Sequence, residues 1–201
     1  MSLIVAVTGG IGSGKSTAAR LFQQRGANLV DTDAIAHELT QPGQQALDQI
    51  AAQLGAEYLA ADGSLDRGKL RSHVFSDPEA RKILEGILHP PIRREVETRA
   101  RASSAPYVLL LVPLLVESGG YRDLAQRVLV VDCNEELQVQ RAARRGGLTE
   151  NQVRAIMRTQ ATRSQRLALA DDLIQNDGTL EELARQVEEL DARYRALAGT
   201  G

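Results

Sequence analysis

The chain has 201 residues, 43% of them apolar and 25% charged, with a formal net charge of −2. That length and balance suit one substantial core with room for small inserted subdomains. A general nucleic-acid binder is usually basic, and no apolar run approaches the roughly 20 residues of a membrane span, so neither partner is expected.

The first element is a short apolar run, Leu3-Ile4-Val5-Ala6-Val7, which suits a buried parallel strand. It begins almost at the start of the chain and carries no signal-peptide pattern, which points to a cytoplasmic protein. Next comes Gly9-Gly10-Ile11-Gly12-Ser13-Gly14-Lys15-Ser16-Thr17, which reads G-x-x-x-x-G-K-S, the phosphate-binding loop of P-loop NTPases. A helical stretch with Leu21 and Phe22 on one face follows. A polyphosphate needs converging N–H donors with no side chains in the way, and glycines allow that approach. Gly10, Ile11, Gly12, Ser13, Gly14, Lys15, Ser16 and Thr17 are therefore the candidate nucleotide-phosphate-binding residues. Lys15 is placed to reach the β- and γ-phosphates and Ser16 to ligate Mg²⁺.

Ala27 to Asp31 reads as a second strand, ending in Asp31-Thr32-Asp33. Ligands of open α/β sheets lie at the carboxyl ends of the strands, so Asp33 is assigned to chemistry, as a proton acceptor or a Mg²⁺ partner through water. Asp31 is assigned a structural role, because a helix that needs an N-cap follows. Residues 40 to about 100 read as helical: Gln44 to Leu54, a helix from Arg67 to Phe75 capped by Asp66, and another opening at Pro78. His89-Pro90-Pro91 is expected to break or kink that last helix, with a further one from about Ile92 to Ala102. An insertion at this place overhangs the phosphate loop and suits a substrate-binding subdomain, with His89, Arg93 and Arg94 on a polar face.

Tyr107 to Val112 is the most strand-like run and is expected at the centre of the sheet. Many P-loop proteins end such a strand in an aspartate that helps hold Mg²⁺; here Pro113 stands there, and Glu117 is the nearest carboxylate downstream. Leu114 and Leu115 read either as core or as an apolar wall for a substrate base. Arg127 to Asp132 is the next strand, and Cys133 behind it reads as a small buried hydrophobe; as the single cysteine it forms no intrachain disulfide. A helix from about Glu135 carries Arg141 and Arg144 on one face. Thr149-x-x-Gln152 is a capping box for a helix running to about Gln160. Residues 141–166 hold seven arginines against one acid, Glu150, a local charge of +6. Arginines on a lid neutralise a phosphoryl group in transit and exclude water. A last strand spans Asp172 to Asn176. The final helix carries Leu180, Leu183, Val187, Leu190, Tyr194 and Leu197 as one apolar stripe. Neither an Asn-Lys-x-Asp guanine-reading motif nor a strand-terminal Asp-x-x-Gly after Val112 is present, which argues against a GTPase switch.

Several stretches together resemble the dephospho-CoA kinases over almost the whole chain and in the same order. They are Gly9 to Thr17, Asp31-Thr32-Asp33, Leu65-Asp66-Arg67 with Val74-Phe75, Leu88-His89-Pro90, Pro113-Leu114-Leu115-x-Glu117, Gln138-x-x-Arg141-x-x-Arg144, Gln160, and Ala170-Asp171 leading to Asn176. The first motif is shared by many families, and the combination with His89-Pro90 and Pro113-Leu114-Leu115 is far more specific. Val116 departs from the phenylalanine common in that family.

The resemblance implies a three-layer α/β P-loop NTPase fold of the nucleoside monophosphate kinase type, with a central parallel sheet. Its core would be residues 1–33 and 103–201, its helical CoA-binding insertion 34–102, and its lid 141–166. The implied reaction moves the γ-phosphoryl of ATP to the 3′-hydroxyl of dephospho-CoA, with Mg²⁺ as cofactor. The implied partners are ATP and dephospho-CoA, with no nucleic acid or membrane, in a monomer or weak homo-oligomer. By position Asp33 resembles the catalytic base, His89 and Arg93 the CoA-domain contacts, Arg141 and Arg144 the lid arginines, and Asn176 the residue against the adenine. Thr8, Leu114, Leu115 and Glu117 complete the acceptor-binding set.

Overall fold

The computed structural model describes residues 3–118, 120–145 and 147–199. Strand β1 (Leu3–Thr8) runs into the phosphate loop and helix α1 (Lys15–Gln24) leaves it. Strand β2 (Asn28–Asp31) leads into α2 (Thr32–Leu39), α3 (Gln45–Gln53), a 3₁₀ turn at Ala56–Tyr58, α4 (Arg67–Ser76) and α5 (Pro78–Arg101). Strand β3 (Tyr107–Leu111), the short α6 (Leu115–Ser118) and β4 (Arg127–Asp132) follow. Then come α7 (Glu135–Arg144), α8 (Glu150–Thr159), α9 (Arg163–Ala168), β5 (Asp172–Gln175) and α10 (Leu180–Gly199).

The sheet order is β2-β3-β1-β4-β5. The β1–β3, β1–β4 and β4–β5 pairs are parallel, with Val5 opposite Leu109, Ala6 opposite Val128, and Val130 opposite Leu173. β1 is therefore central, and the chain turns to opposite sides of it through β3 and β4. That reversal opens the crevice at the strand ends in which doubly wound α/β proteins bind ligands, and the phosphate loop leaves β1 there.

The chain divides into two units, residues 1–30 with 99–201, and residues 31–98. In the first, one face of the sheet buries Val5, Val7, Leu109, Leu129, Val131 and Ile174 against Phe22 of α1 and Leu183, Val187 and Tyr194 of α10. Phe22, Tyr107 and Tyr194 form an aromatic trio with ring centroids 5.5–6.5 Å apart. Each tyrosine hydroxyl in it donates to a buried carboxylate, Tyr107 to Asp191 at 2.6 Å and Tyr194 to Asp172 at 3.1 Å. The expected α10 stripe is buried only at its middle: Leu180 and Leu197, near the two ends, are exposed. The second unit packs Ile50, Tyr58, Leu70 and Ile87 into its own small core.

Pro90 and Pro91 do not break α5, which is a single helix of 24 residues. The two prolines remove the N–H partners of the Gly86 and Ile87 carbonyls, and a cleft of about 440 Å³ lined by those same residues opens beside them. Buried Ile87 before the prolines and buried Ile92 and Val96 after them hold the two halves in line. Tertiary packing here outweighs the local penalty.

Candidate active site

The phosphate loop is shaped by what presses on it. Gly12 has φ +73° and Gly14 φ +94°, a left-handed backbone that costs other residues strain. A Cβ on Gly12 would overlap the Gln138 carbonyl of α7, and one on Gly14 the Asn176 side-chain amide. Asn176 follows β5, where its own N–H donates to Asp132 O at 2.8 Å, and its Nδ2 donates to Ser13 O at 2.8 Å. Lys15 Nζ donates to the Gly9 and Gly10 carbonyls at 2.6 and 2.8 Å, so the ammonium lies across the lip of the loop. Ser16, the second residue of α1, is exposed, whereas Ser13 is buried and its Oγ has no hydrogen-bond partner among the described residues. Buried Thr8 donates its hydroxyl to Pro113 O at 3.3 Å, joining the ends of β1 and β3.

One cleft borders the loop, and another lies among α7, α8 and α9. The first, about 380 Å³, is lined by Gly14, Thr17, Arg141, Arg144, Asn176 and Leu180 among others. Arg141 Nη1 donates to Asn176 O at 2.7 Å and lies 3.4 Å from Cys133 Sγ. Burial pushes the Cys133 thiol up to about 11, with Arg141 opposing. Arg141 and Arg144 thus stand on the Asn176 side of the loop.

The second cleft, about 440 Å³, is lined by Gln138, Arg154, Arg158, Gln160, Arg163 and Arg166 among others. Arg154 pairs with Glu136 at 2.7 Å and Arg163 with buried Asp132 at 2.6 Å. Both acids lie outside residues 141–166, so the basic segment is partly neutralised by partners that a count within it does not see. Three bonds fasten the elbow between α8 and α9: Ile11 N donates to Gln160 Oε1 at 3.2 Å, Ala161 N to Glu117 Oε1 at 2.7 Å, and Arg166 Nη1 to Ala161 O. Ile11 also packs against Val139, Ala142 and Val153, tying the loop to α7 and α8. Glu117 therefore holds the elbow. Of the two leucines before it, Leu115 is buried and Leu114 exposed. Helix α9 was not expected from sequence, although Thr162-x-x-Gln165 forms a capping box like the one recognised at Thr149.

In the second unit, Asp31 caps α2 by accepting from the Asp33 and Ala34 N–H groups at 2.9 and 3.4 Å. Asp33 lies exposed in the first turn. Arg67, to which no role was given above, donates to Thr40 Oγ1 at 2.5 Å and His37 O at 3.3 Å. Burial lowers its pKa and the Asp33 charge opposes this. The signal for it was present in Leu65-Asp66-Arg67. His89 and Arg93 lie one turn apart on α5, with Arg93 Nε 3.4 Å from Glu97.

Among the described residues no group of three or more His, Cys, Asp or Glu side chains is arranged to hold a metal. At the loop, Ser16 offers a hydroxyl beside a phosphate cradle. That suits Mg²⁺, which keeps several waters and is commonly held by few protein ligands together with substrate phosphates. No helix among the described residues is long and apolar enough to cross a membrane.

The family model for dephospho-CoA kinase matches residues 3–182. The chain is 53% identical to a dephospho-CoA kinase of Dechloromonas aromatica over 97% of its own length and 94% of the relative's. It is 54% identical to one of Thiobacillus denitrificans over 96% of each. Among solved structures, a Thermus thermophilus protein superposes with a TM-score of 0.83 at 34% identity, covering 96% of this chain and 97% of that one. The dephospho-CoA kinase of Campylobacter jejuni gives 0.70 at 26% identity over 98% of both. A shikimate kinase of Bacteroides thetaiotaomicron shares the fold, with a TM-score of 0.55 at 12% identity over 95% of this chain and 97% of that one.

Proposed function

This chain belongs to the dephospho-CoA kinase family, and we infer from that membership and from its phosphate loop that it transfers the γ-phosphoryl of ATP to the 3′-hydroxyl of dephospho-CoA, the last step of CoA biosynthesis. The observation that carries the reading is the near full-length match to this family in a chain whose loop carries Lys15 and Ser16 at the start of α1.

The 3′-oxygen attacks the γ-phosphorus, the bond to the β–γ bridging oxygen breaks, and ADP leaves with the electron pair. The hydroxyl proton passes to the carboxylate of Asp33, in the first turn of α2 behind the Asp31 cap. Loop amides and Lys15 hold the phosphates, aided by the positive end of α1. Ser16 would hold Mg²⁺, which would supply neutralisation of phosphate charge. Arg141 and Arg144 face the nucleotide from the Asn176 side. Arg67, His89 and Arg93 offer cationic and polar contacts for the acceptor's phosphates. Thr8, Leu114, Leu115 and Glu117 shape the wall by which the acceptor lies, with Glu117 acting through the elbow. Residues 34–102 serve as the acceptor-binding part and 141–166 as the lid. The protein works in the cytoplasm as a monomer or weak homo-oligomer.

The test is an acceptor screen with purified protein, ATP and Mg²⁺, in which dephospho-CoA competes with other small hydroxyl and phosphate acceptors. Preferential turnover of dephospho-CoA is expected. Preference for another acceptor would retain a P-loop kinase and overturn the substrate.

A further inference from the structure

The lid arginines named from sequence, Arg141 and Arg144, line the Asn176 side of the loop, while a different arginine stands at the loop's other side. Arg166 is 7% exposed, unusual for a residue almost never buried without a partner. Its one hydrogen bond is Nη1 to Ala161 O, and it makes no ion pair among the described residues. A guanidinium has five N–H donors, so most of this one's have no protein acceptor among the described residues. Its Nη2 lies 3.1 Å from where a Cβ on Gly10 would stand, so the fork faces the loop's lip. Burial lowers its pKa, with Glu117, Asp132 and Glu135 only partly offsetting.

A second buried group faces the same glycine. Gln138 is 1% exposed and its Nε2 donates to Cys133 O at 2.6 Å, which fixes the amide. Its Oε1 has no hydrogen-bond partner among the described residues and lies closest to the Cβ position of Gly10. A buried acceptor left unsatisfied costs free energy. The Gln138 oxygen and the Arg166 fork both lie by Gly10, whose carbonyl accepts from Lys15.

We propose that Arg166 is a further catalytic residue that grips a non-bridging oxygen of the γ-phosphoryl group at the Gly10 lip, opposite Lys15, and that Gln138 is its positioning residue, accepting from the guanidinium through Oε1. The anion gives the cation a partner, and the amide oxygen, which has none among the described residues, takes up an N–H of the fork when the anion binds. Charge spreads over the γ-phosphoryl oxygens during transfer, so a fixed guanidinium there stabilises the transition state more than ADP. Transfer itself needs no proton or electron from Arg166. The Gln160–Ile11, Glu117–Ala161 and Arg166–Ala161 bonds set how far α9 stands from the lip.

The inference rests on the reading that ATP is the donor, so its test omits the acceptor. Calorimetry with Mg²⁺ compares ADP with the non-hydrolysable β,γ-imido analogue of ATP. For Arg166→Met the analogue should bind roughly tenfold to a hundredfold more weakly, while ADP changes by no more than about twofold. Gln138→Leu should show the same selective loss to a smaller degree, with the KM for dephospho-CoA unchanged and kcat reduced. In turnover, Arg166→Met should lose about 10²- to 10³-fold in kcat. Equal weakening of both nucleotides, or of neither, would overturn the proposal. Should Arg166→Met fail to fold, Arg166→Lys keeps the charge without the fork and is read by the same contrast. A parent protein that binds both nucleotides and does not phosphorylate dephospho-CoA would count against the acceptor alone and leave the Arg166 contrast decisive.

Discussion

Asn176 donates from Nδ2 to Ser13 O at 2.8 Å, and a Cβ on Gly14 would stand where that amide stands. The bond links residues 163 positions apart and closes the phosphate loop from the side of β5. Its loss leaves a buried carbonyl unpaired, at a cost of about 1–3 kcal/mol. Asn176→Ala should therefore lower unfolding stability by that amount and raise the KM for ATP more than it lowers kcat. Denaturant unfolding and steady-state kinetics read both; unchanged ATP affinity would separate Asn176 from the nucleotide.

Asp33 is exposed in the first turn of α2, and the cap of that helix belongs to Asp31. Asp33→Asn should reduce kcat by about 10²- to 10⁴-fold, the range for loss of a general base. Binding of the ATP analogue should be retained. A variant with near-normal turnover would remove Asp33 from that role.

Glu117 holds the α8–α9 elbow through the Ala161 N–H at 2.7 Å. In Glu117→Ala that amide loses its acceptor, and its hydrogen exchange should accelerate by roughly tenfold or more. Glu117→Gln keeps an acceptor oxygen and should stay close to the parent. Unchanged exchange at Ala161 in the alanine variant would show that the elbow is held by other contacts.

The buried Cys133 thiol sets a pH dependence with a definite sign. Its pKa is raised from 9.0 to about 11, chiefly by burial. Below pH 9 the thiol is protonated folded and unfolded and adds no slope. Between 9 and 11 the unfolded thiol has released its proton and the folded one has not, so stability falls as pH rises. Buried Tyr107 and Tyr194, also raised by burial, extend the loss upward. In Cys133→Ser the fall between pH 9 and 11 should be shallower, by at most one proton in the linkage slope. Equilibrium unfolding at a series of pH values reads it.

The phosphate loop was legible because its motif is contiguous and each part has a local reason: glycines for left-handed turns, Lys15 and Ser16 at a helix start. The strands were legible because Val5 to Val7 and Tyr107 to Leu111 are buried throughout and read as unbroken apolar runs. What escaped depends on distant partners. Glu117 meets a backbone amide 44 residues away, which no sequence pattern records. The +6 segment counted Arg154 and Arg163 without Glu136 and Asp132, which precede it in the chain. Pro90-Pro91 was read by a local rule that packing of Ile87, Ile92 and Val96 overrides. Arg166 was one arginine among seven until the fold buried it beside Gly10.

The central claim is the identity of the transfer. Purified protein should be mixed with ATP, Mg²⁺ and dephospho-CoA, and the position of the new phosphate on the product assigned by phosphorus–proton correlation spectroscopy. A product phosphorylated on the ribose 3′-hydroxyl, formed together with ADP, is the expected result. Release of ADP with dephospho-CoA unchanged, or phosphorylation at another position, would contradict the account.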